Sequence, residues 1–187
     1  MMNIRDVLID HVPRLRRYAR ALIRNRELAD DLVQDTLERA LGHAHQYRPG
    51  SDPRAWLFAI MHNVHANQAR RASARAPHVM MEGDTLDAAI DAAGFVGSAG
   101  TTDGQTRALE LRDLDAALAR LPAEQREVVL LVGLEDMSYA EVAQTLGIPL
   151  GTVMSRLSRG RERLRMLMAG EAGAPEQGAA TKLRVVR

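Results

Sequence analysis

The sequence predicts an all-α protein in which two small helical domains are joined by a flexible linker. Apolar residues recur at three- and four-residue spacing on both sides of the middle of the chain, which is the period of amphipathic helices. Aromatic residues make up only 3% of the 187 residues, so a core must be built mainly from Leu, Val, Ile, Ala and Met, which favours helices. The stretch between the two periodic regions is rich in Gly, Ala, Asp and Thr, as is typical of linkers. The predicted units are an N-terminal domain at 1–75, an acidic linker at 76–106, a C-terminal domain at 107–169 and a disordered tail at 170–187.

Three helices are predicted in the N-terminal domain. The first is indicated by an apolar stripe that consists of Val7, Leu8, Val12, Leu15, Tyr18, Ala19 and Leu22. The second spans about 26–44 and carries acidic residues in its first turns, where the helix dipole favours them. The third begins at Pro53 with Asp52 as its N-cap, because proline is favoured at the first helical position. We expect its buried stripe to consist of Trp56, Leu57, Ile60, Met61 and Val64.

Four helices are predicted in the C-terminal domain, at about 107–120, from Pro122 onward, at about 138–146 and at about 149–168. Ser138 and Glu141 form an S-x-x-E capping box at the start of the third of these helices. Gly147 then follows as a left-handed C-cap, and Pro149 starts the last helix. A further short helix is predicted near 84–93, inside the linker.

The last two helices predict a helix-turn-helix, because two helices joined by a short turn with Gly are its signature. Val153 and Leu157 lie four residues apart, and we expect both to pack on the preceding helix. The opposite face then carries hydroxyl and guanidinium groups that can meet base edges: Thr152, Ser155, Arg156, Ser158 and Arg159. Arg161 and Arg163 follow and suit phosphates, which position a protein without reading sequence. The alternative is a helical hairpin with a solvated basic face.

The net charge of +1 conceals alternating blocks of charge. Residues 1–26 carry +5 and residues 48–75 carry +4, whereas 27–47 and 122–147 each carry −4. Residues 148–169 return to +4. Blocks of this size indicate separate surfaces for acidic and basic partners, with ordinary variation of surface charge as the alternative.

Several classes of function are disfavoured by the composition. The chain has no cysteine, which excludes disulfides, thiol nucleophiles and cysteine-ligated zinc. No phosphate loop, metal-ligand cluster or nucleophile-base motif is recognisable, so we expect no catalytic residues, no cofactor and no metal. His62 and His65 lack partners at ligand spacing and are interpreted as ordinary surface residues or residues near DNA. The sequence shows neither a signal peptide nor an apolar run long enough for a membrane span, and we expect a cytoplasmic protein.

Three segments carry a family resemblance that spans both domains. They are LADDLVQDTLERAL at 28–41, PRAWLFAIMHN at 53–63, and LPAEQREVVLLVGLEDMSYAEVAQTLGIPLGTVMSRLSRGRERLR at 121–165. In this order they resemble the extracytoplasmic-function (ECF, group IV) sigma factors of RNA polymerase. The resemblance implies that the N-terminal domain is sigma region 2, which recognises and melts the −10 promoter element. It also implies that the C-terminal domain is sigma region 4, which reads the −35 element through its helix-turn-helix.

The resemblance also implies partners and site residues. Core RNA polymerase is expected to bind the second helix through Asp31, Leu32, Gln34, Asp35 and Glu38, with core packing as the alternative for Leu32. The −10 strand is expected to contact the third helix through Asn63, Asn67, Arg70 and Arg71. Ala59 departs from the basic residue common at its position in the family, which leaves base contacts at that turn open. An anti-sigma protein is the third expected partner, beside polymerase and promoter DNA.

Two rival functions remain at this point. An unrelated helix-turn-helix regulator would account for 121–165 but would leave 28–71 without a role. A sigma-like decoy that titrates an anti-sigma protein would not need the basic DNA-facing residues, which this chain retains.

Overall fold

The computed structural model describes residues 4–48, 50–75 and 102–169, without the side chains of 73–75 and 102–107. Throughout these ranges the regular secondary structure is helical. The helices are α1 (Ile4–Leu22), α2 (Arg26–Gly42), α3 (Pro53–Arg75), α4 (Thr102–Ala119), α5 (Ala123–Gly133), α6 (Tyr139–Leu146) and α7 (Leu150–Met168), with a 3-10 turn at Ala44–Gln46 after α2. The all-α prediction is confirmed, whereas the predicted helix near 84–93 and the tail from 170 lie outside the described residues.

The N-terminal domain is built from α1, α2 and α3, as predicted. The carboxylate of Asp52 accepts a hydrogen bond from the backbone N–H of Arg54 at 2.8 Å, which confirms the predicted start of α3. Asn25 caps α2 by accepting from the backbone N–H of Leu28 at 3.0 Å. This cap was not part of the sequence prediction.

The core of this domain contains an aromatic pair, of which Tyr18 was predicted to be buried and Phe58 was not. Tyr18 of α1 and Phe58 of α3 meet edge to face with ring centroids 5.0 Å apart, an arrangement that aromatic rings prefer. Phe58 is buried beside Leu57 and Met61. Trp56 packs partly buried against the core, with its ring 5.2 Å from that of Tyr47.

The helix-turn-helix forms as the sequence predicts. Ser138 accepts from the backbone N–H of Glu141 at 3.3 Å, and the Glu141 carboxylate accepts from the backbone N–H of Ser138 at 2.6 Å. Gly147 ends α6 with φ of 63°, in the left-handed region. Val153 and Leu157 of α7 are buried, which confirms the predicted packing face.

Replacing Gly147 by alanine is expected to destabilise the protein by about 1–2 kcal/mol, because a Cβ in the left-handed conformation meets the following carbonyl oxygen. A Cβ there would meet no other atom within 4 Å, so the effect is confined to the backbone. Gly133→Ala is the control, since its Cβ also lies in open space but φ is not positive. Urea unfolding should show a lower midpoint for Gly147→Ala alone; equal midpoints for both variants would contradict this account.

The two domains pack against each other, which the sequence does not predict. Helix α3 contacts α6, and α1 contacts both α4 and α5. Buried residues of both domains form one continuous apolar cluster. Helix α7 contacts α4, α5 and α6 of its own domain.

Candidate promoter-binding and partner surfaces

The exposed face of α7 carries the residues that the sequence assigns to DNA reading. Ser158, Arg159, Arg161 and Arg163 are exposed, and Thr152 and Ser155 are half-buried. The Arg159 guanidinium donates to the Ser155 backbone carbonyl at 3.2 Å and to its hydroxyl at 3.3 Å. These two bonds fix the exposed guanidinium of Arg159 on the surface of α7.

Arg156 lies at the edge of this face rather than at its centre. Its Nη2 forms an ion pair with Glu124 of α5 at 2.6 Å, and its side chain is 23% exposed. The sequence predicts base contacts for Arg156 and Arg159 alike, but the structure separates them. Arg156 is half-buried with Nη2 bound to Glu124, whereas Arg159 is exposed.

An apolar side chain also lies on α7 among the polar ones. Met154 is 53% exposed, and Leu150 one turn earlier is similarly exposed. Apolar side chains at such positions can contact the methyl group of thymine. The sequence analysis did not assign them a role.

The second half of α3 carries the residues assigned to the −10 strand. Asn63, Arg70 and Arg71 are exposed, and Asn67 is half-buried. Arg70 donates to the Asn67 side-chain oxygen at 2.5 Å. Amide and guanidinium groups therefore line one end of α3, within reach of solvent.

The outer face of α2 is acidic. Asp31, Gln34, Asp35 and Glu38 are exposed, as expected for a partner surface. Gln34 donates to Glu38 at 3.0 Å, and Gln68 of α3 donates to Asp35 at 2.9 Å. This face offers carboxylates to a basic partner, with Asp35 held in place by α3.

Leu32 is the exception in this set. The sequence predicts that Leu32 contacts the polymerase, but its side chain has no accessible surface. Leu32 lies on the inward side of α2, next to the buried Val33, and packs in the core. For Leu32 the structure therefore shows core packing, the alternative that the sequence left open, and its effect on a partner is restricted to positioning α2.

A buried carboxylate joins the two domains. Glu135, in the loop between α5 and α6, is completely buried. Its carboxylate accepts from Arg14 Nε at 2.9 Å and from Arg17 Nη2 at 3.0 Å, both on α1. Arg17 also donates to the Leu134 carbonyl at 3.0 Å, and Arg54 Nη1 of α3 donates to the Glu135 carbonyl at 2.8 Å. Three arginines of the N-terminal domain thus bind one acidic loop of the C-terminal domain.

A second contact between the domains involves the capping box of α6. Arg54 Nη2 lies 3.1 Å from Glu141, the residue that caps α6 together with Ser138. Hydrogen bonds from Ser138 lower the pKa of the Glu141 carboxyl, and the Arg54 guanidinium lowers it further. Glu141 is therefore ionised at neutral pH and attracts Arg54.

His62 also belongs to this interface, which corrects its interpretation as an ordinary surface residue. Its Nδ1 lies 2.5 Å from Glu127 of α5. Nearby, burial lowers the pKa of His65, and the charges of His62 and Arg126 lower it further against the opposing effect of Glu127. Sequence reasoning missed the pair because Glu127 is 65 residues from His62 and no local motif connects them.

Comparison with known proteins identifies the two domains. Residues 8–62 match the family model of the Sigma2 domain of PhyR, and residues 111–164 match that of sigma-70 region 4. The chain is 36% identical to the ECF RNA polymerase sigma factor EcfG of Rhodopseudomonas palustris (strain TIE-1), over 98% of this chain and 94% of EcfG. This chain belongs to the ECF RNA polymerase sigma factors.

Further relatives agree with this assignment. The ECF sigma factor is 32% identical to RNA polymerase sigma factor HrpL of Pseudomonas syringae pv. syringae, over 87% of this chain and 85% of HrpL. Its fold is similar to that of the sigma factor RpoE from Bartonella quintana, solved in complex with the anti-sigma factor NepR. The TM-score is 0.71 at 32% identity, over 89% of this chain and 96% of RpoE. The resemblance found in the sequence is therefore confirmed, and the protein acts in transcription initiation with RNA polymerase and promoter DNA.

Metal sites and membrane spans are also absent from the described residues. Among the described residues, no three His, Asp or Glu side chains lie close enough together to hold a metal ion. The helices of the same residues include none that is both long and apolar enough to cross a membrane.

Proposed function

We propose that the two domains of this ECF sigma factor divide promoter recognition between them, with region 2 at 1–75 and region 4 at 107–169. The observation that carries the proposal is the exposed face of α7, where Ser155, Ser158 and Arg159 stand on a helix that α5 and α6 support from behind. A rigid helix with hydroxyl and guanidinium groups on its free side fits the major groove. In this proposal α7 reads the −35 element as duplex DNA.

Within α7 the reading and positioning residues have separate places. Arg159 contacts a base edge, with Thr152, Ser155 and Ser158 beside it. Arg156 contributes from the edge of the face, beside its ion pair with Glu124. Arg161 and Arg163, further along α7, neutralise phosphates and set the register of the helix on the DNA.

Region 2 holds the −10 strand at the end of α3. Asn63 and Asn67 have side-chain amides that both donate and accept, which suits the edge of an unpaired base. Arg70 and Arg71 are exposed in the following turn and neutralise the backbone of the same strand. Bases of a melted strand are accessible to such side chains, whereas bases in a duplex are not.

The acidic face of α2 docks on a basic surface of core RNA polymerase. Asp31, Asp35 and Glu38 supply the charge, and Gln34 lies among them. The polymerase performs nucleotide transfer, while this subunit adds promoter recognition and strand opening in the cytoplasm and carries no catalytic residues of its own.

An anti-sigma protein is the proposed regulator. The solved relative from Bartonella quintana was captured with the anti-sigma factor NepR, and this chain shares its fold. A decoy that binds only an anti-sigma protein is the second candidate function. The retained basic residues of α3 and α7 favour the promoter-binding function over the decoy.

Arg159→Ala is expected to weaken binding to the −35 duplex by about 1–3 kcal/mol, or roughly 5- to 150-fold, because one good base contact is lost. Selection of duplexes from a random library, with wild-type protein and polymerase, first defines the preferred sequence. Binding of the holoenzyme to that duplex and to single-base variants then gives both affinity and preference. The preference should relax at one position of the −35 element.

Arg112→Ala is the matched control, because Arg112 is an exposed arginine of α4 outside the reading face. It should leave affinity and preference unchanged. If Arg159→Ala behaves like Arg112→Ala, α7 does not read the −35 element through Arg159.

A further inference from the structure

Two apolar side chains lie on the solvent side of α7 close to its polar reading residues. Leu150 and Met154 are four residues apart and are 49% and 53% exposed. Ser158, another four residues along, is exposed as well. Residues at this spacing lie on one side of a helix, so Leu150 and Met154, called here the apolar pair, run in line with Ser158.

The packing of region 4 does not account for the apolar pair. The core takes the other side of α7, where Val153, Leu157 and Gly160 are buried. At 3.6 residues per turn, Met154 lies about 90° around the helix axis from the middle of these buried residues. Met154 therefore projects sideways from the helix and keeps more than half of its surface in contact with solvent.

The apolar pair is continuous with the groups proposed to meet base edges. Ser155 follows Met154 directly, and the Arg159 guanidinium is bonded to Ser155. Residues 148–169 carry a net charge of +4, which attracts a polyanion such as DNA to this side of the domain. The position of the apolar pair and the charge around it therefore favour a base in the major groove as the occupant.

Thymine is the base whose major-groove edge suits an apolar side chain, because it presents its C5-methyl group there. Cytosine, the other pyrimidine, presents the N4 amino group as a donor, and a thioether sulfur is only a weak acceptor. Covering cytosine with Met154 would leave that donor poorly paired, which is unfavourable. Met154 should therefore favour thymine and disfavour cytosine at the same position.

The location of Met154 within α7 agrees with contact to bases. Recognition helices meet base edges through the residues near their N-termini, and Met154 is the fifth residue of α7. Leu150 lies about 6 Å closer to the start of the helix, which is close to two base-pair steps of about 3.4 Å. Methionine is unbranched and adapts to irregular apolar surfaces, so Met154 can close around a single methyl group.

We propose that Met154 is a specificity-determining residue of region 4 that recognises the C5-methyl group of a thymine in the −35 element, with Leu150 extending the apolar surface along the groove. The proposal rests on the proposed function, in which α7 reads the −35 element as duplex DNA. It adds the identity of one base. Hydrogen bonds from Arg159 and the serine hydroxyls do not detect a methyl group, so Met154 supplies information that the polar residues do not.

Replacement of thymine by deoxyuridine tests the proposal, because it removes the methyl group and leaves base pairing unchanged. The probe is the preferred −35 duplex selected with wild-type holoenzyme, in which each thymine of either strand is replaced in turn. Replacement at one position, or at two neighbouring ones, should weaken holoenzyme binding about fourfold, which corresponds to about 0.8 kcal/mol for one buried apolar carbon. With Met154→Ala, the thymine and uracil duplexes should bind equally at that position.

Matched variants separate recognition of the methyl group from general effects on α7. Met154→Leu keeps an apolar side chain and should keep the preference for thymine over uracil. Met168→Ala changes another exposed methionine, at the opposite end of α7, and should keep the preference as well. Met154→Gln replaces the thioether by a polar group of similar length and should lose the preference, which keeps the test decisive if Met154→Ala disturbs folding.

Three results of the binding measurement would overturn the proposal. They are a preferred −35 duplex that contains no T·A pair, equal binding of all thymine and uracil duplexes to the unmodified holoenzyme, and a preference for thymine that survives both Met154→Ala and Met154→Gln. Weaker assembly of Met154→Ala with core polymerase, combined with an unchanged preference for thymine, would identify the apolar pair as a protein contact and would overturn it too.

The same duplexes distinguish this failure from failure of the proposed function. If α7 does not read the −35 element, Arg159→Ala will leave base preference unchanged, as Arg112→Ala does, and the proposed function fails. If Arg159→Ala relaxes base preference while every uracil duplex binds normally, the proposed function stands and only recognition of the methyl group by Met154 is refuted.

Discussion

Reversal of charge on the outer face of α2, through Asp31→Lys with Glu38→Lys, is expected to weaken assembly with core RNA polymerase strongly. Both side chains are exposed, so the double variant should fold normally. Placing like charges against each other at an interface costs several kcal/mol. A loss of about 3 kcal/mol corresponds to roughly 100-fold weaker binding. Fluorescence anisotropy of labelled protein titrated with core polymerase gives the dissociation constant directly.

Glu110→Lys with Asp113→Lys is the control for this prediction, because it makes the same change of net charge on the exposed face of α4. The control should reduce affinity much less. Equal losses in both double variants would mean that net charge, rather than the α2 surface, governs assembly.

Phe58→Ala is expected to lower the free energy of unfolding by about 3–5 kcal/mol, the usual cost of removing a buried aromatic side chain. Phe58 of α3 is buried, and its ring forms the edge-to-face contact with Tyr18 of α1. Its loss leaves a cavity beside α3, the helix proposed to hold the −10 strand. Urea unfolding followed by circular dichroism measures the change.

Ile9→Ala provides the comparison, since Ile9 is an exposed apolar residue of α1. Substitutions at such surface positions usually change stability by less than about 0.5 kcal/mol. A small effect of Phe58→Ala, similar to that of Ile9→Ala, would contradict the packing described for region 2.

Local chemistry explains why the sequence predicts the helices well. Each boundary that was predicted from a specific residue depends on neighbours within a few positions: the Asp52 cap, the Ser138–Glu141 capping box and the Gly147 turn. These interactions form between residues within about one helical turn, so the local residue pattern alone is sufficient to predict the boundary. The apolar stripes are equally local, and the core residues of α1 and α7 were predicted from them.

Contacts between distant residues explain what the sequence did not reveal. Glu135 binds Arg14 across 121 residues, and Glu127 binds His62 across 65 residues. The alternating charge blocks indicated complementary surfaces, but charge alone does not identify region 4 as the partner of region 2. The sequence did not separate a surface position from a core position for Leu32, because a residue inside a motif that matches the family can support a binding surface from the core.

In vitro run-off transcription tests the central claim most directly, with core RNA polymerase, the purified protein and a library of candidate promoters. We predict transcripts that start downstream of shared −10 and −35 elements and that disappear when this protein is omitted. No transcript from any template, combined with tight binding to an anti-sigma protein, would contradict the account and identify the chain as a decoy.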